Sequence, residues 1–175
     1  FSTEDEMGLI DSRQPGKIWF AKVDSEFTPE FVNASTGKFT IDFLSSSPFC
    51  RSLGSTLDAP IDFGNDQWQV VGGEISLEDD AVYKFNTSSF RVYNGGALVD
   101  PRQFPLNISF KGSSSNLQIK NNTTGDLFTY KGNTNNSDTI ELNRIRHLKN
   151  GVSIFANTNH KRITLAHGWN EFEVI

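Results

Sequence analysis

The sequence predicts an all-β protein, on the basis of three observations. Its 175 residues include 15 Phe and 14 Gly but only one Met, and this mixture, with many Ser, Thr and Asn, favours strands and turns. Apolar residues alternate with polar ones over short runs. Turn residues interrupt these runs about every 8 to 12 residues, as in all-β domains.

The predicted strands follow one another along the chain. Before Pro101 they are KIWFAKV (17–23), FTIDFL (39–44), QWQVV (67–71), EISLE (74–78), AVYKF (81–85) and FRVY (90–93). The turn-rich stretch EFTPEFVNASTGK separates the first two. After Pro101 they are FPLNISF (104–110), NLQIK, DLFTY, DTIEL, GVSIF, RITL and EFEV. The pattern changes near Pro101, where FPLNISF begins to alternate strictly, so we predict two parts, residues 1–100 and 101–175.

The segment from 140 to 151 is ambiguous. Leu142, Ile145 and Leu148 recur at spacing three, which fits one turn of helix. Asn150-Gly151 is a strong hairpin signal before the next apolar run. We predict a hairpin, with one helical turn as the alternative.

Charge and motifs exclude several functions. The formal net charge is −5, and Lys and Arg are dispersed, so the sequence has no basic stripe for phosphates and nucleic acid is not an expected partner. A phosphate-binding glycine loop, a His-Glu-x-x-His pair, a nucleophile elbow and a Cys-x-x-Cys pair are all missing from the sequence. We therefore predict no catalytic residues, no metal and no cofactor, in a monomeric protein that is not an enzyme.

Two acidic groups carry alternative interpretations. A glycosidase needs only two facing carboxylates, and Glu78-Asp79-Asp80 could supply them, but adjacent acids on a tight turn diverge, which favours a solvated turn. The second group consists of Asp58, Asp62 and Asp66. These residues could line a groove or bind calcium, although their positions in turns explain them more simply.

The histidines and tryptophans also carry alternatives. The spacings of His147, His160 and His167 do not indicate a metal site, so we expect exposed loop histidines. A tryptophan can stack on a sugar ring, yet in a phenylalanine-rich β protein it more often packs. The three tryptophans are Trp19, Trp68 and Trp169.

Six sequons predict an exported, glycosylated protein. They are Asn33, Asn86, Asn107, Asn121, Asn122 and Asn135. The first residues, FSTEDEM, contain no apolar signal segment, which indicates a processed chain or an excised piece. Cys50 is the one cysteine; it either pairs outside this chain or is a buried free thiol.

The C-terminal third resembles the hyphally regulated cell-wall protein N-terminal domain of yeast adhesin-like proteins. The resemblance rests on a turn glycine, an apolar strand and a closing motif of apolar pair, Gly, aromatic, Asn, Phe and aliphatic. The matching positions are Gly151, Val152, Ile154, Ile163, Leu165, Gly168, Trp169, Asn170, Phe172 and Val174. Earlier, WQVVGGEISLEDDAVYKF resembles the family's coil step, at Trp68, Gly73, Ile75 and Leu77.

This resemblance implies a right-handed parallel β-helix, within residues 1–100, running into a C-terminal antiparallel β-sandwich, within 101–175. It implies a secreted fungal cell-wall protein with a lipid anchor, linked to wall glucan through regions outside this chain, and a role in adhesion or biofilm formation. The ligand would be a glycan, a protein or an abiotic surface. The alternatives are a lectin with a tryptophan platform and a β-helix lyase or hydrolase. The family's motif contains no catalytic residue. The resemblance implies that Gly168-Trp169-Asn170 is a turn between the last two strands, with its tryptophan packed.

Overall fold

The computed structural model describes residues 5–24, 28–56, 66–67 and 82–175. Several features of the sequence lie outside these residues: the strand EISLE, most of QWQVV, the acidic cluster Glu78–Asp80, Asp58, Asp62 and Trp68. The chain divides into two compact units, an N-terminal unit of residues 1–76 and a C-terminal unit of residues 77–175. The all-β prediction is confirmed, because the described residues form strands and a single short 3₁₀ turn at Phe155–Asn157.

The described residues of the N-terminal unit form six short strands. They are β1 (Met7–Leu9), β2 (Lys17–Val23), β3 (Glu30–Asn33), β4 (Thr36–Lys38), β5 (Phe43–Leu44) and β6 (Arg51–Ser52). Strand β2 is the centre of one sheet and pairs with β1, β5 and β6. Strands β3 and β4 form a separate two-stranded hairpin.

Residues 82–175, the described part of the C-terminal unit, form ten strands. They are β7 (Ser89–Asn94), β8 (Asn107–Lys111), β9 (Ser114–Ser115), β10 (Gln118–Asn121), β11 (Asp126–Thr129), β12 (Asn133–Thr134), β13 (Thr139–Asn143), β14 (Arg146–Lys149), β15 (Val152–Ser153) and β16 (Gly168–Val174). One sheet has the order β11-β10-β16-β7 and another the order β15-β14-β13-β8. Strand β7, which precedes Pro101, pairs along its whole length with the last strand, β16.

The hydrophobic core of the C-terminal unit is shared by these two sheets. Its buried members come from β10, β11, β13 and β16 and from the segments between strands: Leu117, Ile119, Phe128, Tyr130, Ile140, Leu142, Ile154, Ile163 and Phe172. Phe128 and Leu117 are fully buried. Alternation along each strand places one face toward this core.

The described residues do not show the predicted parallel β-helix, and most of the coil step at residues 67–85 lies outside them. Every strand pair within residues 5–24, 28–56 and 82–175 is antiparallel, whereas the coils of a parallel β-helix pair in parallel. The short, evenly spaced apolar runs that suggested coils are equally compatible with antiparallel strands, because both architectures alternate with period two.

The ambiguous segment from 140 to 151 forms strands, as predicted. Strands β13 and β14 pair through a two-residue turn at Arg144-Ile145, which the sequence analysis missed. Asn150 and Gly151 have φ of 51° and 80°, the conformation of a tight hairpin turn between β14 and β15. The spacing of three between Leu142, Ile145 and Leu148 is therefore not evidence of a helix in this segment.

The C-terminal stretch corrects one expectation and confirms another. Gly168-Trp169-Asn170 is not a turn between two strands, because Gly168 begins β16, and the predicted strand RITL contributes only an isolated bridge from Leu165 to Val99. Gly168 does have a φ of 84°, so this position uses the backbone freedom expected of glycine.

Candidate functional site: the apolar hairpin of the N-terminal unit

The N-terminal unit exposes most of its apolar side chains. Of its described residues, Ala21 is the one apolar residue classed as buried. Eleven large apolar side chains in the same unit are exposed: Met7, Leu9, Ile10, Phe20, Phe31, Val32, Phe39, Phe43, Leu44, Phe49 and Leu53. A set of exposed apolar residues this dense is characteristic of interaction surfaces.

The hairpin of β3 and β4 carries the two most exposed of these residues. Phe31 is 77% and Val32 67% exposed, and all residues of both strands are exposed. Within the described part of the chain, β3 and β4 pair only with each other. A two-stranded hairpin alone is marginally stable in water, so this apolar hairpin (Glu30–Lys38) is suited to gain stability from a partner.

Local chemistry explains why these residues form a hairpin. The Asn33 side-chain oxygen accepts hydrogen bonds from the Ser35 backbone N–H at 2.9 Å and from its hydroxyl at 3.1 Å, which closes the turn. The pairing is irregular between Phe31 and Asn33. At the open end Glu30 lies opposite Lys38, and opposite charges stabilise cross-strand neighbours.

Polar contacts hold the neighbouring sheet together. The Ser46 backbone N–H donates to the Glu6 carboxylate at 2.6 Å, and this hydrogen bond lowers the pKa of Glu6 below its usual value. The guanidinium of Arg51 lies 5.4 Å from the centre of the Phe20 ring, within cation–π range. The whole N-terminal unit, residues 1–76, carries 12 Asp and Glu against 5 Lys and Arg.

The predicted glycosylation sites do not converge on one surface feature. Five of the six asparagines are exposed, namely Asn33, Asn86, Asn107, Asn122 and Asn135. Asn121 is fully buried; its amide donates to the Thr164 carbonyl at 2.8 Å and to the Asn170 side chain at 3.1 Å. The folded unit therefore leaves no room for a glycan on Asn121, while modification of the other five stays a prediction.

The expectation of exposed loop histidines is wrong for one of the three. His147 lies on β14 and is only 3% exposed, packed edge-on against Phe128 at 4.9 Å between centroids. Burial lowers its pKa, and the nearby His160 lowers it further. His160 and His167 are exposed as expected.

Trp169 lies on the outer face of the β7–β16 pair. Its ring meets Tyr93 edge-on at 5.2 Å, and the Arg91 guanidinium lies 4.2 Å from its centre. Trp169 and Trp19 are both half-buried. Both tryptophans are thus partly packed.

Cys50 is a half-buried free thiol within the described residues. The described residues contain no group of three or more His, Cys, Asp and Glu side chains placed to hold a metal. They also contain no helix of the length and apolarity needed to cross a membrane.

The comparison with known families gives a match at the start of the chain. Residues 1–45 match the model of the phage tail protein RIFT-related domain, a stretch that includes β1 to β5 and the apolar hairpin. No curated protein gives a significant match. The N-terminal part of this chain is therefore similar to a phage tail protein domain.

This finding overturns the resemblance to the hyphally regulated cell-wall family. The predictions that rested on this resemblance are also wrong: the fungal adhesin function, the secreted cell-wall and cell-surface localisation, the lipid anchor and the role in biofilms. The motif behind the resemblance combined a positive-φ glycine with alternating apolar residues. Many unrelated antiparallel strands share these features.

Proposed function

We propose that this chain is a structural component of a bacteriophage tail. The observation that carries the proposal is the match of residues 1–45 to a phage tail domain. The same residues include the apolar hairpin, whose Phe31 and Val32 are exposed. A tail protein works by contact with neighbouring subunits, and an exposed apolar surface supplies such contacts.

We assign the chain no catalytic activity. Its proposed work is to bind other tail subunits through the apolar hairpin, with a second copy of the chain as the first partner to test. Full burial of a Phe or Val side chain contributes about 1.5 to 3 kcal/mol. Two such side chains in one contact therefore change a dissociation constant by about a thousandfold, at about 1.4 kcal/mol per factor of ten.

For the C-terminal unit we propose a β-sandwich. Ile119 and Phe172 belong to the sheet of β10 and β16, whereas Ile140 and Leu142 belong to the sheet of β13, and all four share one core. Two antiparallel sheets that bury their inner faces against each other form a sandwich. In this proposal the sandwich is a rigid body, and the surface for assembly belongs to the N-terminal unit.

The tail assignment can be tested on particles. Antibodies against residues 82–175 should label the tails of phage particles that encode this chain, seen by immunogold electron microscopy, and mass spectrometry should find the chain in purified tails. Absence of the chain from purified particles would contradict the proposal.

The role of the hairpin needs a separate test in solution. Sedimentation velocity should show concentration-dependent association of the wild-type chain, weakened by about a thousandfold in the double variant Phe31→Ser, Val32→Ser. Val152→Ser is the matched control, because Val152 is about as exposed as Val32 but lies in the C-terminal unit. Equal weakening by the control, or unchanged association of the double variant, would rule out the hairpin as the contact.

A further inference from the structure

Asparagine is followed directly by glycine twice in this chain, at Asn94-Gly95 and at Asn150-Gly151. Glycine has no Cβ, so its backbone nitrogen is the least hindered in attacking the side-chain amide of the asparagine before it. Asn94 is half-buried, whereas Asn150 and Gly151 are both exposed. Asn150-Gly151 is therefore the pair that solvent reaches more readily.

Deamidation at such a pair needs only water as a second reactant. The Gly151 backbone nitrogen bonds to the side-chain carbonyl carbon of Asn150, and the bond from that carbon to the amide nitrogen breaks. The amide nitrogen leaves as ammonia with the hydrogen of the Gly151 N–H, which gives a cyclic succinimide. Water then adds to one of the two ring carbonyls and opens the ring, so that the product is an aspartate or an isoaspartate.

The folded hairpin holds both polar atoms of the Asn150 side chain. The side-chain oxygen accepts a hydrogen bond from the Thr139 backbone N–H at 2.8 Å, and the amide nitrogen donates to the Asp138 carboxylate at 2.7 Å. The Asn150 backbone N–H also donates to the Thr139 carbonyl at 2.9 Å. Because these bonds direct the amide toward the start of β13, it must leave both partners before the Gly151 nitrogen can attack it.

Asp138 is itself a firmly held acceptor. The residue is only 7% exposed, and its second oxygen accepts from the Asn135 backbone N–H at 2.9 Å and from Lys149 Nζ at 3.0 Å. The hydrogen bond from Asn135, followed by those from Lys149 and Asn150, lowers the pKa of Asp138 to about 2. Asp138 is therefore charged at neutral pH, and a hydrogen bond to a charged acceptor is about twice as strong as a neutral one.

We propose that Asn150 is a site of spontaneous deamidation, which the folded hairpin protects and which opening of the hairpin exposes. The rate in the folded chain is then the rate in the unfolded chain multiplied by the fraction of time that the hairpin is open. The hydrogen bonds of Asn150 to Asp138 and Thr139 keep that fraction small.

The product does not fit the folded hairpin. A carboxylate oxygen takes the place of the amide nitrogen, so two negative oxygens meet where a hydrogen bond of 2.7 Å joined residues 138 and 150. Like charges this close oppose each other, and the donor that Asp138 used is lost. Deamidation therefore weakens the C-terminal unit, and it cannot be reversed once ammonia has left. The inference does not depend on the tail assignment, because every group involved lies in the C-terminal unit.

The first test measures the rate of deamidation in the full chain. After incubation at pH 8, peptide mass spectrometry should show conversion of Asn150 about tenfold or more slower in the folded chain than in the chain unfolded by urea. Asp138→Ala removes the acceptor and should speed conversion in the folded chain by about tenfold or more. Asp126→Ala is the matched control, since Asp126 accepts hydrogen bonds from Thr124 and Thr164 but none from Asn150.

The second test examines the product directly. Asn150→Asp should raise the unfolding equilibrium constant of the C-terminal unit by about tenfold or more at pH 7, measured by urea denaturation. The double variant Asp138→Asn, Asn150→Asp should recover most of this loss. The amide introduced at position 138 keeps an oxygen for Asn135 and Lys149, and its nitrogen can donate to the carboxylate at position 150.

Several results would overturn the proposal. They are the absence of conversion at Asn150 in the unfolded chain, equal rates in the folded and unfolded chains, and equal acceleration by Asp126→Ala and Asp138→Ala. An Asn150→Asp variant as stable as the wild type, or a double variant no more stable than Asn150→Asp alone, would also overturn it. The comparison of folded and unfolded wild-type chain needs no variant, so it holds even if Asp138→Ala fails to fold.

Discussion

Two adjacent asparagines of similar local sequence should respond very differently to substitution. Asn121 is the last residue of strand β10 and Asn122 follows it, and each is the asparagine of a sequon. Asn121 is fully buried and Asn122 is exposed. We expect Asn121→Ala to destabilise the C-terminal unit strongly and Asn122→Ala to have almost no effect.

The magnitude follows from the hydrogen bonds that each side chain makes. Asn121 donates to the Thr164 carbonyl and to Asn170, and accepts from the Thr123 backbone N–H at 3.0 Å. Three hydrogen bonds at about 1 kcal/mol each amount to about 3 kcal/mol. For a unit of this size, that loss lowers the melting temperature by about 12 to 20 °C.

The assay is urea denaturation followed by the amide NMR signals of residues 82–175, with calorimetry for the melting temperature. Asn122 makes no side-chain hydrogen bond within the described part of the chain, so its substitution should stay within about 0.5 kcal/mol of the wild type. An Asn121→Ala variant as stable as the wild type, or an Asn122→Ala variant that is equally destabilised, would refute the reasoning.

Three further predictions concern the same unit. Gly168→Val should lower the free energy of unfolding by about 1 to 2 kcal/mol because of the positive φ; no atom lies within 4 Å of an added Cβ, so Gly168→Asn, which tolerates this conformation, should cost less. Trp169→Ala should cost about 1 to 3 kcal/mol in urea denaturation, below the 3 to 5 kcal/mol of a fully buried Trp, since its ring is half-buried; a cost near zero would contradict the packing. Thermal denaturation should show two acid-sensitive ranges. Burial lowers the pKa of His147, so the unfolded chain takes up a proton first and stability falls as the pH drops below 6.5. Hydrogen bonds lower the pKa of Asp100 and Asp138 to about 2 each, so their contribution, present above pH 4, is lost as the pH falls toward 2; a flat stability profile between pH 7 and 2 would contradict both assignments.

Alternation of apolar residues predicted several strands. KIWFAKV corresponds to β2 with the same bounds, Lys17–Val23, and FRVY lies within β7. Leu117, Ile119 and Asn121 are alternate residues, and all three are buried. The alternation therefore predicts that Asn121 is buried, whereas its sequon had suggested an exposed, glycosylated residue.

Features that depend on distant contacts could not be predicted in this way. His147 is buried by Phe128 and Phe155, and nothing adjacent in sequence indicates that these rings meet it. The apolar hairpin was interpreted as turn-rich because both of its strands are exposed, and a strand without a buried face has no alternation to detect. The candidate site was missed for the same reason.

Exposure of the N-terminal unit has a consequence for its stability. Fixing one residue's backbone costs about 1 to 2 kcal/mol of conformational entropy, while the described residues of this unit bury a single apolar side chain, Ala21. Its order should therefore increase when a partner covers Phe31 and Val32. Amide hydrogen exchange provides the measurement: protection at Glu30–Lys38 should rise by tenfold or more when the chain associates at high concentration, whereas β10 and β16, already held by the shared core, should exchange at the same rate. Since burial of both side chains contributes several kcal/mol, an associated chain whose hairpin exchanges as fast as the isolated chain would show that the contact lies elsewhere.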